Sequence, residues 1–161
     1  MIRHTVILLC LFMLAPASHA IEPSVKNDYL VLYQTKDKFE NVKEAVELAI
    51  TDRGLVINNV SHIGKMLART GKDLGATKKV YIEAQAFEFC SATASRRTME
   101  ADPRNMIFCP YIVNLYVLPQ QPDTVYLAYR RPQRVGSKAS KASLKAVEEL
   151  LDGIVQDALA W

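Results

Sequence analysis

Two β-rich runs near the end of this chain stand too close together for any crossover helix to join them. Residues 106–118 and 124–129 are dominated by branched aliphatic and aromatic side chains. Only Pro119-Gln120-Gln121-Pro122-Asp123 separates them. A link that short, with two prolines, makes a turn and predicts an antiparallel hairpin. Parallel neighbours would need a connection of about a dozen residues or more. The hairpin therefore excludes a wholly parallel sheet.

The rest of the pattern mixes strands with helices. Residues 29–35 read as a first strand after a flexible lead-in over 21–27. Asp37 and Glu40 have the spacing of a capping box. Beyond them Phe39, Val42, Val46, Ala49 and Ile50 recur at helical spacing, and Gly54 sits where helices end. Residues 55–60 predict a strand, and Ser61 would cap a short helix over 62–70, weakened by Gly64. A polar loop over 72–79 leads to a strand over 80–89, whose imperfect alternation leaves its facing open. Residues 91–101 read as a helix broken by Asp102-Pro103. Leu144, Val147, Leu150, Leu151, Ile154, Val155, Ala158 and Leu159 form one apolar helical stripe, with a cap expected near Ser140 or Ser143. This order predicts an α+β fold: an antiparallel sheet with helices packed on one face. Residues 28–161 make one domain, long enough to bury a real core.

The first 20 residues have a different character. Arg3 and His4 precede an apolar run over 6–14, and Ser18-His19-Ala20 places small residues at the minus-three and minus-one positions of a cleavage site. The run is too short to span a bilayer, so it reads as an export signal rather than an anchor. Cys10 lies inside the run without a small-residue box before it, which disfavours a lipoprotein. Cleavage after Ala20 would leave a periplasmic or secreted chain from Ile21, with no second apolar run of transmembrane length. It removes one arginine and no acid, so the net charge falls from +3 to +2. That balance gives no reason to expect nucleic-acid binding.

Export also thins the reactive inventory. Cys10, His4 and His19 would be lost, leaving Cys90, Cys109 and His62. In an oxidising compartment an even pair of cysteines favours a disulfide, here closing residues 91–108. The spacing is not the Cys-x-x-Cys of tuned redox couples. Phe89 and Phe108 flank the thiols, and apolar burial would keep them inert. The alternative is a redox or metal centre on Cys90, Cys109 and His62, with Met66 as a soft fourth ligand suited to copper or haem iron. Without Cys-x-x-Cys-His, covalent haem attachment is excluded. No Gly-x-Ser-x-Gly elbow or nucleophile–base pair is recognisable, so a hydrolase ranks last.

The segment from Phe89 to Tyr111 is the chemically densest, and its polar members Arg96, Glu100 and Asp102, together with Tyr111 and Arg130, are the candidate ligand-binding residues. Arg96 and Arg130 could grip a carboxylate, sulfate or phosphate if they converge. Alternatively the arginines pair with nearby acids on the surface. The basic tail from Arg130 to Lys145 could touch anionic lipid or a partner, but its serines and lack of interleaved aromatics read as a solvated loop and helix start.

At Phe89-Cys90-Ser91-Ala92, Ser95-Arg96, Met99-Glu100-Ala101-Asp102-Pro103, Asn105 and Phe108-Cys109-Pro110-Tyr111, the chain resembles exported bacterial members of the domain-of-unknown-function 302 family. Ser61-His62-Ile63-Gly64-Lys65-Met66-Leu67, Arg69-Thr70-Gly71 and Arg130-Arg131-Pro132 fit the same pattern. The resemblance covers nearly all of the expected mature chain. It implies a curved antiparallel sheet against helices in a β-α-β(4)-α order, with the two short helices as insertions. It is compatible with a homodimer and implies no settled activity or cofactor. The reading is therefore a non-enzymatic periplasmic domain that binds a small molecule or a protein partner.

Overall fold

The computed structural model describes residues 20–161. The basic and apolar parts of the expected export signal, with Cys10, His4 and His19, lie outside the described residues. The first elements are β1 (Val25–Lys26), β2 (Leu30–Thr35), α1 (Phe39–Thr51), β3 (Val56–Ser61) and α2 (Ile63–Asp73). Then come β4 (Glu83–Cys90), α3 (Ala92–Ala101), a 3-10 turn (Pro103–Phe108), β5 (Tyr111–Leu118), β6 (Gln121–Arg130) and α4 (Lys138–Leu159). The six strands form one sheet in the order β1-β2-β6-β5-β4-β3, and every neighbouring pair is antiparallel. The fold is α+β, with the expected β-α-β(4)-α order, a two-residue leading strand and two inserted helices.

Alternation along the strands builds the core. Tyr111, Val113, Leu115 and Val117 of β5 face the same side as Val125, Leu127 and Tyr129 of β6, and as Phe87 and Phe89 of β4. Onto that face α1 lays Val42, Ala45, Val46, Ala49 and Ile50, and α4 lays Val147, Leu151, Ile154, Val155 and Ala158. Phe87 and Phe89 are fully buried, each burial contributing about 2–3 kcal/mol. The facing of β4, ambiguous in sequence, is settled by its register with β5. Gln85 lies opposite Leu115 and Phe87 opposite Val113, so the alanines fall on the other face. There, Tyr116 stacks on Tyr126 with ring centres 5.0 Å apart, and Tyr81 meets Tyr116 edge-on.

Several boundaries differ from expectation for local reasons. Residues 106–108 are not strand. Asp102 accepts the Arg104 N–H and Pro103 occupies the first helical position, so the chain turns through a 3-10 segment before β5 begins at Tyr111. The Asp37–Glu40 capping box does not form. Asp37 accepts from the Lys38 N–H and from Asn41 Nδ2, while Lys38 occupies the cap position without a side-chain bond. The cap of α4 is Ser137, whose Oγ accepts the Ser140 N–H; Ser140 and Ser143 are buried inside the first turns. Val25–Lys26, within the lead-in, pair with Leu32 and Val31. Gly64, a weak helix former, is explained by a close approach. A Cβ there would stand 2.8 Å from the Ala84 backbone nitrogen, so α2 meets β4 only without a side chain.

Candidate functional site

Strand register builds the site at one end of the sheet. Phe89 pairs with Tyr111, so the residue after Phe89 and the residue two before Tyr111 are neighbours. These are Cys90 and Cys109, with sulfurs 3.1 Å apart. Both are half-buried and present as thiols. The intervening chain folds back as α3, with Ser91 Oγ accepting the Ala94 N–H at its start, and then as the 3-10 turn. From the first turn of α3, Ser95 Oγ lies 3.7 Å from the Cys109 sulfur and donates to Tyr111 Oη at 3.4 Å. The Phe89 and Tyr111 rings meet edge-on beside this cluster. Burial and then the shared hydrogen bond with Cys109 push the Cys90 thiol up from 9.0 to about 11. Burial also raises Tyr111. A thiol with that value carries almost no thiolate at neutral pH, which is the opposite of an activated nucleophile.

Next to the cysteines, β5 begins where β6 ends, and a cleft of about 260 Å³ opens there. Phe108, Pro110, Tyr111, Ile112, Asn114, Arg130, Pro132 and Leu151 line it. Its lining is mostly apolar, with Asn114 and Tyr111 as polar members and one charged group. That group is the exposed guanidinium of Arg130, which has no ion-pair partner among the described residues.

The structure divides the sequence-predicted residues. Tyr111 and Arg130 share the cleft. Arg96 does not converge with Arg130 there; its Nε bonds Glu100 at 2.7 Å in an exposed pair one helical turn apart. Asp102 is held by Arg104, whose hydrogen bonds keep its carboxyl below the usual range. Arg96, Glu100 and Asp102 therefore serve the surface of α3 and the start of the 3-10 turn, outside the cleft.

The mixed metal or haem site is not assembled. Cys90 pairs with Val56 at one end of β3, whereas Ser61, just before His62 and Met66, pairs with Ala86 at the other. Four strand positions separate these ends, roughly 13 Å. Among the described residues, no group of three or more His, Cys, Asp or Glu side chains is placed to hold a metal ion.

Two polar clusters escaped sequence reading. Asp152 Oδ1 accepts from Tyr33 Oη and Tyr129 Oη, each at 2.7 Å, and Gln156 Nε2 donates to Tyr33 Oη. Burial, followed by the Asp152 hydrogen bond, raises both tyrosines well above their ordinary value, so they remain donors. Glu148 receives Arg131 at 2.9 Å and Arg134 at 3.0 Å. Burial alone would raise its carboxyl, but the two arginine hydrogen bonds and charges outweigh burial and hold it below 4.5. Glu148 and Asp152 sit four apart within the apolar stripe of α4. Carboxylates on a core-facing stripe are the signal that marks them.

The family profile described as "Domain of unknown function DUF302" matches residues 32–158, from within β2 almost to the end of α4. The chain belongs to the DUF302 family. No curated protein matches it. Among solved structures, the DUF302 domain is similar to an uncharacterized conserved DUF302 protein from Bacillus stearothermophilus. The match has a TM-score of 0.66 at 14% identity, over 80% of this chain and 97% of that one. At that identity the likeness concerns the DUF302 fold alone.

Proposed function

We propose that this DUF302 domain is exported and binds a small molecule carrying an oxyanion in the cleft at the start of β5, without catalysing its conversion. The observation that carries the reading is Arg130, an unpaired guanidinium among the described residues, on an otherwise uncharged, largely apolar lining. Such a group supplies two parallel donors to a carboxylate or phosphate, while Phe108, Ile112 and the prolines receive an apolar body. The cleft, about 260 Å³, is smaller than the usual ligand site, which favours compact ligands. The raised Cys90 and Tyr111 provide no activated nucleophile or base nearby, in keeping with binding rather than turnover.

Export is supported by the sequence before Ile21, which has the layout of a cleaved signal. Among the described residues, no helix is long and apolar enough to cross a membrane.

The test is titration of the purified protein with short monocarboxylates and organic phosphates, followed by amide NMR. Shifts clustered on residues 108–114 and 130–132, lost in Arg130→Gln, are expected. Unperturbed spectra at tens of millimolar ligand, or shifts unchanged in Arg130→Gln, would overturn the reading. N-terminal mass spectrometry of the periplasmic protein tests export, with Ile21 as the expected first residue.

A further inference from the structure

Positive charge without an ion-pair partner is densest in one exposed part of this chain. Residues 130–145 hold six cations and no acid, but there Arg131 and Arg134 pair with Glu148 and Lys145 pairs with Glu149. Residues 62–82 hold Lys65, Arg69, Lys72, Lys78 and Lys79 against one acid, Asp73, a net charge of +4. The entire chain nets only +3. All five cations are exposed, and among the described residues none takes part in an ion pair. α2 contributes no buried residue, and every residue from 72 to 80 is exposed.

Helical geometry orders these charges. Lys65, Arg69 and Lys72 fall within an arc of about 60° on α2. Ile63, Gly64, Leu67, Thr70 and Gly71 are the half-covered positions, on the side that approaches β4. The cationic arc points away from the protein. Large apolar side chains are interleaved with the cations: Met66 is 40% exposed, Leu74 81% and Val80 45%. This is the composition of a surface that meets lipid headgroups and inserts a few side chains just beneath them. Nucleic acid fits less well, because residues 62–82 hold no Phe or Trp and their one tyrosine, Tyr81, packs its ring against Tyr116 rather than standing free for a base.

We propose that α2 and the loop over 74–80 dock the domain onto the surface of an anionic phospholipid bilayer. The attraction is led by the five cations, with Leu74 as the principal shallow insertion. The cleft at the start of β5 is built by other residues, so the two sites stand or fall separately.

Vesicle flotation tests the proposal. Protein recovered from expression of the full chain, its N-terminus read by mass spectrometry, is mixed with phosphatidylcholine vesicles containing or lacking phosphatidylglycerol. Binding to the phosphatidylglycerol vesicles at low salt, released at high salt, is expected. Each neutralised cation should lower partitioning about fivefold, and Lys65→Gln/Arg69→Gln/Lys72→Gln together about a hundredfold. Leu74→Ser should weaken binding without removing its salt dependence. These positions are exposed, and circular dichroism verifies that the variants fold. Equal binding to both vesicle types, or unchanged binding by the triple variant, would overturn the proposal. So would capture on polyglutamate without any binding to phosphatidylglycerol vesicles.

Discussion

Oxidation of Cys90 and Cys109 should raise the stability of the domain by about 3 kcal/mol. The two residues are 19 positions apart, and the chain between them forms α3 and the 3-10 turn. In the unfolded chain, closing a loop of that length removes entropy worth about 3 kcal/mol. In the folded chain the β4–β5 register already holds the two residues together, so the native state loses little freedom on bonding. What oxidation removes is a weak S–H···S contact, worth less than the ~1 kcal/mol of an ordinary hydrogen bond. The entropic term wins. For a chain of this size each kcal/mol moves the melting temperature about 2–4 °C, so oxidised protein should melt about 6–12 °C above reduced protein. Calorimetry with and without reductant, alongside a thiol count, measures this. Cys109→Ser should melt with the reduced wild type and ignore reductant. The reasoning fails if oxidised and reduced forms melt within about 2 °C, or if protein from an oxidising medium titrates with two free thiols.

Three further outcomes follow from the helix–sheet contacts. Glu148→Gln should cost about 2 kcal/mol in urea denaturation, the scale of a charged hydrogen bond, because Arg134 is 45% exposed and can turn to water. Since the folded Glu148 value is depressed, its contribution is complete above the ordinary carboxylate value of 4.5 and is lost as pH falls through the folded value; Glu148→Gln should flatten that acid limb. Asp152→Ala strips the acceptor from two buried tyrosine hydroxyls and should cost about 2–5 kcal/mol, whereas Asp152→Asn, which keeps an oxygen, should cost less. Gly64→Ala should destabilise by about 1–3 kcal/mol despite better helix propensity, because its methyl meets the Ala84 backbone; faster amide exchange at the start of β4 is the readout, and a stabilised protein would contradict it.

Periodic features were legible in the sequence because they are local. The β5–β6 hairpin follows from two β-rich runs and a short proline-bearing link. The α4 stripe follows from spacing alone, and so does the buried face of α1. Single positions were harder. Met106, Ile107 and Phe108 have strand composition, yet Asp102-Pro103 starts a 3-10 turn that carries them. Ser140 looks like a cap but is buried against Asn105, because Ser137 caps three residues earlier. Arg96 shares a residue type with Arg130, but its acid partner, Glu100, is one helical turn away.

The sequence by itself determined the α+β class, the antiparallel hairpin, the helix faces and the short list of thiols. Each depends on periodicity or counting, which no folding step alters. Tertiary structure decided which residues meet. Strand register brought Cys90 to Cys109 and set His62 at the far end of β3. The pairing of β5 with β6 set Tyr111 and Arg130 beside one cleft, and the packing of α4 gave Asp152 to two tyrosines over a hundred and over twenty positions away. Such contacts arise from pairing distant strands and helices, and a linear pattern carries no record of that pairing.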